Sequence, residues 1–209
     1  AQDSGRTSAY RLVHAEADGM PGLIVDRYAD WLVVQLLTLG AERRRDLWVE
    51  LLALAVPGIR GIVERSDVDV RLKEGLQPAV GILWGEEPPP CFCILENGLQ
   101  FHVDLMAGHK TGYYLDQREN RLLLEGYAAG AEVLNCFAYT GAFAVYAARG
   151  RAARVVNVES SADALALAEL NLTLNGFGQI ASEQINADVF QQLRTFRDTG
   201  RQFDLIVLD

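Results

Sequence analysis

The sequence predicts an α/β protein in which a Rossmann-like parallel sheet follows a small α+β domain. The apolar run 133–136 leads to a tight turn at Thr140-Gly141, and after a helix-length interval a second apolar run, 154–159, ends on a carboxylate. This spacing is typical of a βαβ unit. Farther on, apolar runs continue to alternate with segments of helical length, which indicates a parallel sheet with crossover helices.

The region before the βαβ unit has a different pattern, in which short extended runs are separated by turn pairs such as Asp18-Gly19 and Pro21-Gly22. Leu47, Leu51 and Leu54 recur at helical spacing before Pro57-Gly58, which ends the helix. In order, the pattern predicts strands over residues 23–28 and 31–38, a helix over 42–56 and a strand over 59–64. This alternation of strands and one helix favours a small α+β domain.

A boundary between two domains is predicted at Gly85–Pro90, because three consecutive prolines neither continue a helix nor donate to a sheet. We therefore expect domains over residues 1–87 and 88–209. Asn97-Gly98 then favours a β-hairpin, and a helix is predicted over 116–127. Ser160, three residues before Asp163, is expected to cap the helix that follows the second strand of the βαβ unit.

The turn of the βαβ unit indicates an adenosine-containing cofactor. Gly141 lets a ligand approach the backbone amides of the next helix, and Glu159 is placed to accept hydrogen bonds from both ribose hydroxyls. A pyrophosphate needs the spacing G-x-G-x-x-G, but Asn135 and Phe137 stand where the earlier glycines would fall. The turn therefore favours S-adenosylmethionine, and a dinucleotide-dependent oxidoreductase stays open as the alternative.

The segment 110–118 carries more side-chain chemistry than a connecting loop requires. Tyr113 or Tyr114 is expected to cover the cofactor, and Gln117 or Arg118 to bind its carboxylate. Alternatively, Tyr114 and Leu115 belong to the core, while Asp116 caps the helix and pairs with Arg118.

Asp188 ends the presumed third strand. Its carboxylate is expected to accept a hydrogen bond from the adenine amino group, while the Val189 amide binds a ring nitrogen. The same aspartate would equally serve as the N-cap of a helix over 189–196.

Composition narrows the class of protein. The chain has 209 residues and a net charge of −9, which argues against a broad phosphate-binding surface, so the arginines at 43–45 and 149–154 are expected to be solvated. There is no apolar run near 18 residues free of charge, so we expect a cytoplasmic protein with no membrane partner. Three histidines without ligand spacing indicate no metal site, and the three cysteines are expected to be buried thiols.

Four motifs stand out along the chain: His109–Arg118, Asn135–Gly141, Asp188–Phe190 and Phe203–Asp209. They resemble the successive motifs of the class I S-adenosylmethionine-dependent methyltransferases that form 5-methylcytosine in 23S ribosomal RNA. The run His14–Tyr28 is similar to the EEHEAD-type central domain that precedes the catalytic domain in this family, after an RNA-binding PUA domain. The resemblance implies large-subunit ribosomal RNA as the partner, and a homodimer is an open possibility. A non-catalytic RNA-binding or assembly module with the same fold remains the second alternative.

The resemblance also implies the functional residues. Those expected to bind S-adenosylmethionine are Tyr114, Gln117, Arg118, Asn135, Phe137, Tyr139, Thr140, Gly141, Glu159, Ser160, Asp188, Val189 and Asp209. Asp209, at the methyl-transfer edge, is also a candidate catalytic residue. Carbon-5 methylation needs a thiolate that adds to carbon 6, and in the family this cysteine comes from a later motif, so the sheet here is expected to be incomplete and the nucleophile to lie beyond residue 209. Cys136 lies in the first motif and is expected to be a buried small residue.

Overall fold

The structure is a computed structural model that describes residues 5–208. It divides into two compact units, the first comprising residues up to 99 together with 103–115, and the second comprising residues 100–102 together with those from 116 onward. The hairpin that follows the proline run lies mostly in the first unit. The assignment of residues 1–87 and 88–209 to two domain types stays a prediction.

The first unit is built on a mixed sheet. Its strands, among the described residues, are β1 (Ala9–His14), β2 (Leu23–Tyr28), β3 (Trp31–Leu36), β4 (Gly61–Ser66) and β5 (Ala79–Gly85), in that spatial order. β3 and β4 are parallel, and the other neighbours are antiparallel. The helices are α1 (Leu39–Glu42), α2 (Arg45–Ala55) and α3 (Val70–Lys73), with a 3-10 turn at Ala15–Asp18. The predicted meander and helix are thus confirmed, although the helix is broken into α1 and α2.

One face of this sheet forms an apolar core with α2. Leu23, Val34 and Ile62 are fully buried there, and Trp48 and Leu52 of the helix pack against them. These side chains alternate along their strands with residues of the opposite face, which is the pattern of a sheet covered by a helix.

The second unit contains a parallel sheet. After the hairpin of β6 (Phe92–Glu96) and β7 (Leu99–Val103), the elements are a 3-10 turn (Leu115–Gln117), α4 (Arg118–Glu125), β8 (Glu132–Cys136), α5 (Ala142–Arg149), β9 (Arg154–Glu159), α6 (Ala162–Leu174), β10 (Ala181–Asn186), α7 (Val189–Thr199) and β11 (Leu205–Leu208). Within the described part of the chain the strand order is β10-β9-β8-β11, and each neighbouring pair is parallel. Numbered from β8, this is the order 3-2-1-4 of a doubly wound fold.

The helices cover both faces of this sheet. Val189 and Phe196 of α7 pack against Leu134, Cys136 and Val156. Helix α5 packs against β8 and β9, and helix α6 against β9 and β10. Crossovers between parallel strands are right-handed as a rule, which puts α5 and α6 on the face opposite to α7. Asn135 and Asn157 alternate with residues that pack beneath α7, so their side chains point to the opposite face of the sheet.

Residues 100–102 are tied to the second unit by side chains. The Phe101 ring stacks on Tyr146 of α5, with ring centroids 6.2 Å apart. Asn171 of α6 and Asn175, the C-cap of this helix, accept hydrogen bonds from the backbone nitrogens of His102 and Gln100, respectively.

The predicted start of α6 needs one correction. Ser161, not Ser160, is the N-cap, and its hydroxyl accepts a hydrogen bond from the Ala164 nitrogen at 3.2 Å. The Ser160 hydroxyl instead donates to the Glu159 carboxylate at 3.0 Å. Over residues 5–208, none of the helices is long and apolar enough to cross a membrane.

Candidate cofactor site

The loop between β8 and α5, residues 137–141, has an unusual backbone. Phe137, Tyr139 and Gly141 all have positive φ, at 55°, 46° and 72°. A non-glycine residue in this region costs roughly 1–3 kcal/mol and persists only where the surroundings enforce it. Because the loop lies at the carboxyl end of a parallel strand, this strain marks the position where ligands bind in doubly wound sheets.

Glu159, the last residue of β9, holds this loop. Its Oε2 accepts a hydrogen bond from the Tyr139 nitrogen at 3.0 Å, and its Oε1 accepts from the nitrogens of Ser160 at 2.7 Å and Ser161 at 3.1 Å. Burial alone would raise the pKa of this carboxyl, but these hydrogen bonds outweigh it and hold the pKa below its usual value. Glu159 is therefore a fixed anion at the end of its strand.

These bonds bear on the predicted contact with ribose. Oε1 already accepts from two backbone nitrogens and from the Ser160 hydroxyl, whereas Oε2 accepts only the Tyr139 nitrogen among the described contacts. A carboxylate oxygen offers two lone pairs. Oε2 is thus the oxygen with capacity for a ligand hydroxyl, and Ser160 serves here to orient the carboxylate.

Thr140 and Gly141 complete the loop against α6. A Cβ on Gly141 would lie 2.5 Å from the Ala168 Cβ, so with its positive φ the position accepts only glycine. Thr140 is buried, and its carbonyl accepts a hydrogen bond from Asn171 at 2.9 Å. Its hydroxyl is buried without a hydrogen-bond partner among residues 5–208.

Asn135 has a role that sequence reasoning missed. Its Nδ2 donates to Asn157 Oδ1 at 2.8 Å, and Asn157 Nδ2 donates to Gln184 Oε1 at 3.1 Å. The three residues lie side by side in register on β8, β9 and β10. The Asn135 amide is therefore part of a row of amides across the sheet, and its contact with a cofactor stays a prediction.

The residues after β10 lie at the same edge of the sheet as the loop 137–141, because the strands are parallel. Asp188 is the N-cap of α7 and accepts a hydrogen bond from the Gln191 nitrogen at 2.9 Å, while Val189 is buried beneath the sheet. Phe190 was not among the predicted residues. Its ring lies edge-on to Phe137 with centroids 5.7 Å apart, and both rings are exposed. The available signal was an aromatic residue two positions after Asp188, which was predicted to end the third strand, although β10 ends at Asn186.

The segment 110–118 is divided between the two units. In the first unit, Thr111 is buried and donates to Asp26 at 2.7 Å, and the buried Tyr113 hydroxyl donates to Glu96 at 3.4 Å. The half-buried Tyr114 ring lies 4.2 Å from the Lys110 ammonium. These contacts anchor the segment and make Tyr113 a core residue, while the contact of Tyr114 with the cofactor stays a prediction.

Gln117 and Arg118 stand at the start of α4 in the second unit. Gln117 accepts a hydrogen bond from Asn120 at 2.7 Å. Arg118 pairs with Glu119 at 3.0 Å, whereas the alternative reading of the sequence paired it with Asp116. Gln117, not Asp116, is the N-cap of α4.

The cysteines correct one prediction and agree with another. Cys136 is fully buried between Leu134 and Val156, and burial raises the pKa of its thiol. It is a core residue, as expected. Cys91 and Cys93, predicted to be buried, are exposed instead. Cys93 lies at a position of β6 that faces away from the core, and Cys91 directly precedes that strand.

The described residues contain no group of three His, Cys, Asp or Glu side chains that could hold a metal ion. Asp209 lies outside the residues that the structure describes.

The residues at the carboxyl ends of β8, β9 and β10 fit an adenosine-containing cofactor without a pyrophosphate. Glu159 offers a fixed carboxylate, Phe137 and Phe190 offer exposed rings, and the loop 137–141 carries a single glycine. The model of a family described as S-adenosylmethionine-dependent methyltransferase matches residues 11–209. The chain belongs to this methyltransferase family. The predicted Rossmann-like α/β fold is confirmed, and S-adenosylmethionine rather than a dinucleotide is the cofactor of this methyltransferase.

Similar proteins carry a more specific name. "Ribosomal RNA large subunit methyltransferase I" of Shewanella denitrificans is 53% identical over 202 residues, which cover 97% of this methyltransferase chain and 51% of that protein. The protein of the same name from Aliivibrio fischeri is 49% identical over 209 residues, which cover 100% of this chain and 52% of that one. The chain thus spans about half the length of the curated relatives it matches.

Solved structures agree with the fold of this methyltransferase. A protein from Streptococcus mutans, assigned as a SAM-dependent methyltransferase, has a TM-score of 0.88 at 32% identity, over 99% of this chain and 53% of its own. A second structure, of a protein assigned as a methyltransferase and complexed with SAH, has the same TM-score and identity, over 99% of this chain and 52% of its own.

Proposed function

We propose that this methyltransferase acts on large-subunit ribosomal RNA and that its product is 5-methylcytosine. The observation that carries the proposal is the identity of about half of the residues to relatives named "Ribosomal RNA large subunit methyltransferase I". The base and the methylated atom rest on the resemblance of the four motifs. The chain spans about half the length of those relatives, so the substrate and the product of the whole protein are both part of this proposal.

In this proposal the cofactor site consists of the residues that the resemblance implies, together with Phe190. Oε2 of Glu159 accepts a ribose hydroxyl, and the rings of Phe137 and Phe190 flank the adenine, whose amino group donates to Asp188. Gln117 and Arg118 bind the carboxylate of the methionine moiety. The remaining contacts are assigned to Tyr114, Asn135, Tyr139, Thr140, Gly141, Ser160, Val189 and Asp209.

The bound cofactor would supply an electrophilic methyl group, and this chain's residues would orient it. The strained loop 137–141 is held by hydrogen bonds before the ligand arrives, so little ordering remains to be done on binding. The thiolate that activates the base would come from a motif outside these 209 residues. Cys136, buried beneath α7, has no access to a base, and Asp209 stays a candidate for the methyl-transfer edge.

The architecture proposed for the protein follows the same resemblance. Residues 1–87 form an EEHEAD-like domain, and residues 88–209 form the N-terminal part of the methyltransferase domain. A cytoplasmic location and a homodimer complete the proposal.

Two measurements test the proposed function. Calorimetry on this chain with S-adenosylmethionine, S-adenosylhomocysteine and NAD as the control ligand should show binding of the first two only. Tritiated-methyl transfer to large-subunit ribosomal RNA by a protein that also contains the downstream sequence, followed by nucleoside analysis, should give 5-methylcytidine. Methylation of another base would contradict the product, and cofactor binding without transfer to any RNA would favour a non-catalytic module.

A further inference from the structure

Asn171 of α6 is a fully buried amide that connects two separate segments of the second unit. Its Nδ2 donates to the Thr140 carbonyl of the cofactor loop at 2.9 Å, and its Oδ1 accepts from the His102 backbone nitrogen at 2.9 Å. Losing either hydrogen bond of a buried amide costs free energy, because a donor or an acceptor is then left unsatisfied in the interior. The residue therefore fixes the loop and the strand segment 100–102 to the same point of the helix.

The same face of α6 also sets the shape of the loop. Ala168 lies one turn before Asn171 and leaves no space for a Cβ at Gly141. The contact from Ala168 limits how far the loop can move toward the helix, and the hydrogen bond from Asn171 limits how far Thr140 can move away.

The strain in the loop makes these contacts consequential. Tyr139 has a φ of 46°, a conformation that a non-glycine residue keeps only under constraint. Hydrogen bonds to the loop include one from the Tyr139 nitrogen to Glu159, one from the Ala138 nitrogen to the Val158 carbonyl, and one from Asn171 to the Thr140 carbonyl. Glu159 and Val158 belong to β9, whereas Asn171 belongs to α6.

We propose that Asn171 is a positioning residue for the cofactor loop and that it couples the conformation of this loop to the strand segment 100–102. The inference rests on the proposed function, in which residues 137–141 bind S-adenosylmethionine. Asn171 acts through the Thr140 carbonyl and not by touching the cofactor. A shift of residues 100–102 would then change the conformation of the cofactor loop, because both segments are hydrogen-bonded to the Asn171 side chain.

The chain provides a matched control. Asn175, the C-cap of α6 and one turn beyond Asn171, accepts a hydrogen bond from the Gln100 nitrogen at 2.8 Å and donates one to the Gln100 carbonyl at 2.7 Å. It therefore ties the same strand segment to the same helix, but its contacts run to Gln100 and to the Asn171 carbonyl, not to the loop. A substitution at Asn175 weakens only the attachment of residues 100–102 to the helix, whereas a substitution at Asn171 also removes the hydrogen bond to the loop.

The experiment compares Asn171→Asp with Asn175→Asp in this chain. Each aspartate keeps the shape and the acceptor oxygen but removes the donor. Asn171→Ala, which removes both bonds without burying a charge, is measured in parallel in case Asn171→Asp does not fold. The readouts are the Kd for S-adenosylhomocysteine by calorimetry, the hydrogen exchange of the amides of residues 138–141, and the Tm of the free protein.

Both Asn171 variants should weaken binding about tenfold and speed exchange in the loop, whereas Asn175→Asp should lower Tm but leave Kd within about twofold. Equal effects of Asn171→Asp and Asn175→Asp on Kd, or loop exchange unchanged in the Asn171 variants, would overturn the positioning role while the proposed function stands. Failure of the unsubstituted chain to bind the ligand would overturn the assigned cofactor loop as well.

Discussion

The Glu159 carboxylate accepts a hydrogen bond from the Tyr139 backbone nitrogen at 3.0 Å, so the last side chain of one strand fixes the loop that follows its neighbour. The same carboxylate is the proposed acceptor for ribose. Binding and loop geometry therefore depend on one side chain, and a substitution there changes both the affinity for the cofactor and the stability of the free protein.

Replacing Glu159 by alanine should weaken binding of S-adenosylmethionine roughly 30-fold to 150-fold, because a charge-assisted contact of about 2–3 kcal/mol is lost. It should also lower the free energy of unfolding, since backbone donors lose their acceptor. Calorimetry and urea denaturation measure the two effects. Glu169→Ala, at an exposed position of α6, removes the same charge and should change neither quantity appreciably. Unchanged affinity in Glu159→Ala would refute the ribose contact.

The stability contributed by Glu159 should depend on pH. Its pKa is held below the usual value in the folded chain, so its contribution is fully present above the unfolded pKa of about 4.3 and is lost as pH falls through the folded pKa. The difference in unfolding free energy between the unsubstituted chain and Glu159→Gln should therefore be constant near neutrality and shrink below about pH 4.3. Urea titrations from neutral pH down to pH 3 would show this, and a difference that grows toward acid pH would contradict it.

Replacing Arg118 by alanine should weaken cofactor binding by about tenfold or more while leaving the fold intact. The guanidinium is proposed to bind the carboxylate of the methionine moiety, and its observed partner is the exposed Glu119. Glu119→Ala removes the same ion pair but keeps the guanidinium. It should bind the cofactor normally, because a surface ion pair contributes only about 0–1 kcal/mol to stability. Equal losses in both variants would point to the ion pair instead.

The three thiols should differ in reactivity. Cys91 and Cys93 are exposed, whereas Cys136 is fully buried and burial raises its pKa. A thiol reagent should therefore modify two cysteines in the native chain and the third only in denaturant. Cys136→Ser should retain cofactor binding but lose about 1–3 kcal/mol of stability, because a hydroxyl replaces a thiol in an apolar site. Rapid native modification of Cys136 would contradict its placement in the core.

The βαβ unit was predictable because its signals are local. The apolar runs that became β8 and β9, the glycine of the turn and the terminal Glu159 each follow from side-chain type and spacing. The positive φ of Phe137 and Tyr139 was not predictable, because neither residue type favours that conformation. The loop that contains both residues is held by hydrogen bonds from β9 and α6, which are distant in sequence.

Other misses have the same origin. Ser160 and Ser161 are both good helix caps by type, and the choice between them depends on the hydrogen bond that Glu159 takes from Ser160. Phe190 became part of the site through its contact with Phe137. The hydrogen bond between Asn135 and Asn157 was not predicted either, because the two residues lie on different strands, 22 positions apart.

The row of amides formed by Asn135, Asn157 and Gln184 has a consequence for how the sheet assembles. β8 and β9 are rich in valine and leucine, so they could slide past one another with little change in apolar contact, but a slip of one residue would turn the buried amides of Asn135 and Asn157 toward the opposite face and leave them unbonded in the interior. The pair thus fixes the register of these two strands, and Gln184 extends the row to β10. By fixing where β9 ends relative to β8, the pair determines that Glu159 reaches the Tyr139 nitrogen at all.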